Sequence, residues 1–173
     1  MKSINTQYYK TPYGELILGS FEGQLCLCDW RYRKMRISID KRLQKYLSTE
    51  YTEQNDAIIS EAIVQIEEYS DHNRKVFDLP LLTAGTDFQK SVWNALLDIP
   101  YGSFVTYQKL AENLGNKNAV RAVAAANGAN AISLFIPCHR VIGSDGEMVG
   151  YAGGLRTKAK LLELEKNFSN SES

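Results

Sequence analysis

The segment Ile136-Pro137-Cys138-His139-Arg140-Val141 sets a thiol beside an imidazole at a proline-fixed, strand-like bend, between the apolar runs 133–136 and 141–142. A nearby histidine draws off a thiol proton, and the thiolate is the nucleophilic form. Adjacent side chains of an extended segment point to opposite faces, so a bridging water is the expected link between Cys138 and His139. A sheltered, inert cysteine is the plainer alternative. A carboxylate that would complete the set lies further on. On a helix over 155–166, Leu155, Ala159 and Leu162 share one arc with Leu161 beside it, and Glu165 falls between Leu161 and Leu162. A carboxylate on an apolar face needs a partner, which an imidazole N–H would supply. The other reading of Glu165 is a frayed helix end, and Glu163 reads as solvated.

Two further segments carry possible chemistry. The run Ala119-Val120-Arg121-Ala122-Val123-Ala124-Ala125-Ala126 is nearly all small residues around one arginine. Such a helix can approach a surface as narrow as a minor groove, and a lone Arg121 can enter a base stack where a nucleotide has left it. Close packing inside the protein also suits the alanines. The loop Gly150-Tyr151-Ala152-Gly153-Gly154 can wrap a flat ligand or simply connect. It lacks the Gly-Lys-Ser/Thr ending of a phosphate-cradling loop. Cys26 and Cys28 share one face of a strand, but only His72 and His139 exist to supply imidazole, so no metal site and no cofactor are expected.

Several elements must position these residues. Tyr13-Gly14 and Glu22-Gly23 are turn signals around Leu16-Ile17-Leu18 and Leu25-Cys26-Leu27-Cys28, which predicts an antiparallel meander. Helices follow over about 37–47 and 56–69, then an edge strand or connector at 77–81, where Pro80 cannot donate to a ladder. Thr86 or Asp87 caps a helix bearing Phe88, Val92, Trp93, Leu96 and Leu97, which stops before Pro100. Thr106 opens a helix through Leu114 with Gly115 as its stop, and a third helix over 118–126 ends at Asn127-Gly128. These last two match a helix-turn-helix, a weak signal by itself. Ser144-Asp145-Gly146 reads as a hairpin tip. The periodicity changes near residue 84, which divides the chain into domains 1–83 and 84–168 and a disordered tail 169–173.

The whole is 173 residues, 44% hydrophobic and 23% charged, with a formal net charge of zero, so a core is affordable and no global field advertises nucleic acid. Residues 84–168 hold 9 basic and 7 acidic side chains, and over 103–143 Lys109, Lys117, Arg121 and Arg140 face Glu112 alone. That is a weak local positive surface. The run from Arg31 to Lys45 is broken by Asp40 and reads as a solvated helix face before it reads as a nucleic-acid patch. Three cysteines suit a reducing compartment, and neither a signal peptide nor a membrane span is visible, so a cytoplasmic protein is expected.

Taken together, IPCHRV at 136–141, YAGGL at 151–155, AVRAVAAANGAN at 119–130 and FQKSVWNALLDIPYGSFVTY at 88–107 resemble the O6-alkylguanine-DNA alkyltransferases. The resemblance covers 84–166. It implies an α/β (α+β) chain: a ribonuclease H-like N-terminal domain with a small antiparallel sheet, and a mostly helical, winged helix-turn-helix-like C-terminal domain. By the resemblance Cys138 accepts the alkyl group, His139 and Glu165 assist through water, and Asn130 braces the turn. Arg121 fills the gap left by a flipped nucleotide, and Tyr107 contacts the base or its phosphate. The carbonyls of Cys138 and Val141 read the guanine amine while Tyr151 and Ala152 close over O6. Some members have serine where Ala152 stands, so only its N–H remains for that contact. Other members bind zinc through N-terminal Cys and His, ligands that this sequence does not let one place, and Cys138 separates the chain from relatives that bind lesions without repair.

The implied partner is double-stranded DNA bearing O6-alkylguanine or O4-alkylthymine, bound from the minor groove by a monomer, with no membrane involved. A soft thiolate suits displacement at an alkyl carbon, and the thioether product has no leaving group that water can displace, so each molecule should act once. Two other classes fit parts of the pattern. One is a helix-turn-helix binding module with a structural cysteine; the other is a Cys-His hydrolase, for which no oxyanion hole is evident.

Overall fold

The structure, a computed structural model, describes residues 2–143, 146 and 150–171. The hairpin tip expected at Ser144-Asp145-Gly146 lies largely outside the described residues. The chain divides into two compact units, Met1–Gly85 and Thr86–Ser173.

In the first unit the meander forms as the turn signals require: β1 (Ile4–Thr11), β2 (Gly14–Phe21) and β3 (Gln24–Trp30), paired antiparallel in sequence order. Then α1 (Arg36–Tyr46) carries the chain back, so that β4 (Tyr51–Glu53) joins β1 in parallel. The sheet, in the order β3-β2-β1-β4, is therefore mixed rather than antiparallel throughout. Consecutive residues Leu16 to Ser20 of β2 and Leu25 to Trp30 of β3 are buried, so both faces of the sheet's centre are covered. The next helix, α2 (Ala57–Ser70), packs on the meander through Ile59, Ala62 and Ile66. Its cap Asp56 accepts from the Ile59 N–H and also holds Asn5 and Ser20. The connector near Pro80 makes a single parallel bridge, Leu25 to Leu81.

The basic run of this unit is partly turned inward. Asp29 is fully buried and takes Arg33 at 3.2 Å and Arg36 at 3.0 Å, while Arg36 also pairs with Asp40. A buried carboxylate needs countercharge, so these arginines belong neither to a solvated face nor to a nucleic-acid patch.

In the second unit, α3 (Asp87–Leu96) begins with a capping box in which Thr86 and Gln89 satisfy each other's backbone. Val92, Trp93 and Leu96 are buried, whereas Phe88 and Leu97 stay partly exposed. A short β5 (Val105–Thr106) leads into α4 (Tyr107–Asn113), capped by Thr106 and ended by Gly115 at φ +78°. Next comes α5 (Val120–Gly128), which packs against both α3 and α4. Trp93 donates its indole N–H to the Ala126 carbonyl at 2.8 Å. Asn127, expected as a helix stop, is instead a buried residue inside α5.

After α5 the chain winds through a single 3-10 turn (Cys138–Arg140) into β6 (Val141–Ile142), parallel to β5. It ends in α6 (Leu155–Ser171). That helix runs on into the segment where a tail is expected from residue 169. Among the described residues no helix is long and apolar enough to cross a membrane.

Candidate active site

The approach to Cys138 is built on Asn130. Its Oδ1 accepts from the Ile132 N–H at 3.0 Å and its Nδ2 donates to the Ile136 carbonyl at 3.0 Å. Between these bonds the apolar run 133–136 is a tight turn rather than a strand, with Leu134 at φ +73°. Pro137, at φ −79° and ψ 64°, has the shape of an inverse γ-turn, and the Cys138 N–H donates across it to the Ile136 carbonyl at 2.8 Å. The strand-like bend expected around Cys138 is thus a 3-10 turn, because the preceding loop is wound too tightly to enter a ladder. Asn130→Ala should lower unfolding free energy by about 1–3 kcal/mol, since it strands the buried Ile132 N–H and leaves the Ile136 carbonyl with the Cys138 N–H as its donor. Denaturant titration measures this, and a loss below about 0.5 kcal/mol would deny the brace.

Cys138 is buried at 3% exposure and His139 completely. The His139 Nε2 meets Glu165 Oε2 at 2.6 Å. Arg140, the next residue, turns back onto the same carboxylate: its Nε donates to Oε1 at 2.8 Å and a terminal nitrogen to Oε2 at 3.1 Å. Its other terminal nitrogen donates to the Ile99 carbonyl at 2.7 Å, and the Gly102 N–H donates to Glu165 Oε1 at 3.2 Å. Burial alone would raise the Glu165 carboxyl, but His139 and Arg140 together hold it down at about 2. Burial pushes His139 below its ordinary value despite the pull of Glu165. The resting pair is therefore a carboxylate and a neutral imidazole, whose Nε2–H donates to Glu165. That tautomer leaves a lone pair on Nδ1, which is buried and has no hydrogen-bond partner among the described residues.

Both shifts act in one direction. A group with a depressed folded pKa binds its proton first in the unfolded chain, so stability is full above the unfolded value and declines as pH falls. Stability near α6 should drop as pH is lowered from 7.5 through 6.5, the ordinary histidine value, and again between 4.5 and about 2 as Glu165 titrates. Hydrogen exchange of amides in the 3-10 turn and α6 reports it. Unchanged protection between pH 7.5 and 5 would contradict a neutral buried His139.

Of the other residues singled out in the sequence, Tyr107 opens α4 half-buried, and its hydroxyl accepts from Asn127 at 3.3 Å. Val141 is fully buried on β6, directly after the turn. The Tyr151 ring stands edge-on to His139 at 6.4 Å between centroids, and Ala152 is half-buried beside it. Arg121 lies apart from this cluster, on the exposed face of α5 with Ala122 and Ala125. Burial takes Arg140 out of the local positive surface to which the sequence assigns it.

Three further residues belong to the site although the sequence does not place them there. Arg140 neutralises Glu165, and the demand of a buried carboxylate for more than one donor was its available signal. Lys158 is fully buried, donates to the Gly150 carbonyl at 3.3 Å and lies 5.9 Å from the Tyr107 ring centroid. Burial pushes its ammonium down to about 8. It stands two helical turns before Glu165, on the same side of α6, and that spacing was legible. The buried stripe of α6 runs through Lys158, Leu161, Leu164 and Glu165, and Leu155 is half exposed, so the helix is rotated from the expected arc. Asn127 is the third. Cys26, by contrast, is ordinary core, its thiol pushed up to about 12 by burial. Among the described residues no three His, Cys, Asp or Glu side chains gather as a metal site would need.

Fold and site together define a mixed α+β protein built around a cysteine backed by a histidine, a carboxylate and an arginine. Residues 87–167 match the DNA-binding domain of 6-O-methylguanine DNA methyltransferase. A methylated-DNA–protein-cysteine methyltransferase of Methanosarcina barkeri is 44% identical over 158 residues, covering 91% of this chain and 94% of the relative. The Mycobacterium leprae protein of the same name is 39% identical over 167 residues, covering 95% and 93%. Among solved structures, Mycobacterium tuberculosis OGT in complex with DNA superposes with a TM-score of 0.83 at 36% identity, covering 95% of this chain and 94% of that one. The chain belongs to the methylated-DNA–protein-cysteine methyltransferase family.

Proposed function

We propose that this protein repairs DNA by direct reversal, moving the alkyl group of O6-alkylguanine, and of O4-alkylthymine, irreversibly onto Cys138. The observation that carries the reading is the His139 ring, fixed by Glu165 at Nε2 and open at Nδ1, next to a buried cysteine. Through a bridging water Nδ1 takes the thiol proton, and Glu165 stabilises the imidazolium that results. The thiolate attacks the alkyl carbon, a carbon–sulfur bond forms as the carbon–oxygen bond breaks, and the electron pair leaves with the guanine O6. The imidazolium gives its proton back through the water to the departing base, which leaves neutral guanine and a neutral His139. The product is a thioether, which neither His139 nor Glu165 can open, because no water is activated enough to attack an unactivated alkyl carbon.

The remaining roles belong to the same proposal. Residues 84–168 form a winged helix-turn-helix-like unit, with α4 and α5 as the helix pair, and residues 1–83 a ribonuclease H-like domain. Arg121, exposed on a helix face of alanines, enters the duplex from the minor groove and replaces the flipped nucleotide. Asn130 braces the turn through the two bonds described above. The carbonyls of Cys138 and Val141 read the guanine amine, Tyr107 contacts the base, and Tyr151 and Ala152 close over O6. The protein acts as a monomer in the cytoplasm and needs no cofactor.

The test is stoichiometric. Incubated with excess duplex containing O6-methylguanine, the protein should repair at most one base per molecule and gain about 14 Da, one methyl replacing one proton, on the peptide containing Cys138. Repeated turnover would overturn the sacrificial mechanism. Lesion binding by a protein whose mass never changes would make it a binding module instead.

A further inference from the structure

Asn127 is costly where it stands. It lies inside α5 at 5% exposure, and asparagine is a poor helix former whose amide must be satisfied when buried. Only one end of that amide is occupied. Its Nδ2 donates to the Tyr107 hydroxyl at 3.3 Å and to the Cys138 carbonyl at 3.4 Å, whereas its Oδ1 is buried with no hydrogen-bond partner among the described residues. The orientation follows from chemistry: the Cys138 carbonyl can only accept, so the nitrogen has to face it. Both bonds are long, as site hydrogen bonds often are before substrate tightens them. A leucine, with the same branched shape, would occupy the position without an orphaned oxygen, so apolar packing does not explain the amide.

We infer that Asn127 is a positioning residue for alkyl transfer, its amide directing the Tyr107 hydroxyl proton toward the substrate base while holding the carbonyl of Cys138. The inference rests on the function proposed above. A hydroxyl whose lone pair takes an N–H is left with its own O–H to give, so Tyr107 is presented as a donor. Burial keeps that proton in place, since it raises the phenol above its ordinary value. The second bond reaches the nucleophile's own peptide unit. Asn127 stands on α5, the helix that also carries Arg121, and so couples the proposed DNA-contacting element to the turn bearing the sulfur.

The test measures single-turnover methyl transfer from an O6-methylguanine duplex by wild type, Asn127→Leu, Tyr107→Phe and the double variant, alongside denaturant midpoints. Asn127→Leu should slow transfer about tenfold, the scale of one lost hydrogen bond, while its midpoint moves little, because removing the orphaned oxygen offsets the loss of the donor to the Cys138 carbonyl. Tyr107→Phe should cost a similar factor, and the double variant should be little slower than either single one, because both remove the same directed proton. Should leucine not fold, Asn127→Ala, which suits a helix, carries the same expectation. Undiminished transfer by a folded Asn127 variant, or losses that multiply to about a hundredfold in the double variant, would overturn the inference alone. A wild-type protein that transfers no methyl group would overturn the function beneath it.

Discussion

Cys138→Ser should lower methyl transfer at least about a thousandfold while duplex binding and the folded state persist. Serine is nearly isosteric, so the 3-10 turn and its backbone hydrogen bonds remain, but its hydroxyl stays protonated at neutral pH and is a poor nucleophile at saturated carbon. His139, with a pKa depressed by burial, can draw off a thiol proton but is far too weak a base for an alcohol. The measurement is single-turnover repair of an O6-methylguanine duplex, with binding followed in parallel by fluorescence anisotropy. Repair within tenfold of wild type would remove Cys138 as the acceptor. Cys26→Ser should leave the rate unchanged, because a buried thiol raised to about 12 carries almost no thiolate.

The second large effect is expected at the Glu165–Arg140 pair. Glu165→Gln leaves the Arg140 guanidinium buried without its countercharge and should cost about 3–5 kcal/mol of stability. Arg140→Met acts differently. It takes the guanidinium away from the carboxylate, and since Arg140 is among the charges that lower His139, the imidazole should become protonated over a wider range of pH. A protonated Nδ1 cannot accept from the thiol. Transfer by Arg140→Met should therefore be depressed at pH 7 and recover as pH rises, whereas Glu165→Gln should show no such recovery. Replacing both residues with apolar ones should be less destabilising than either single change. Denaturant midpoints and pH–rate profiles decide it, and equal profiles for the two single variants would show that Arg140 does not tune His139.

Most of what is local in this protein was legible without coordinates. Thr86 and Thr106 cap α3 and α4, and Gly115 ends α4 at positive φ, because caps and stops depend on residues within a few positions of each other. The meander follows from its turn residues for the same reason. Cys138, His139 and Glu165 could be singled out because their chemistry is unusual for their setting: a thiol beside an imidazole, a carboxylate on an apolar helix face; Asn130 was reached only through the resemblance. The sequence could offer Glu165 an imidazole as partner but not the second donor, Arg140.

What needed the tertiary structure is whatever depends on contacts across the chain. The turn at Cys138 is wound by the Asn130 side chain, so extended periodicity misjudged it. The rotation of α6 is set by Arg140 and His139 meeting Glu165, an ionic demand that outweighs the apolar arc of Leu155, Ala159 and Leu162. The fourth strand has only three residues, too few for a pattern, and exists because α1 returns the chain to the free edge of β1. Sequence alone determined which residues can do chemistry and where helices start and stop, since those are properties of side chains and their near neighbours. Only the tertiary structure decided that Asn127 faces Cys138 and Tyr107, that Arg140 is a buried counterion, and that Nδ1 is the open edge of His139. Each is the resolution of a desolvation cost, and partners distant in the chain decide how such costs are met.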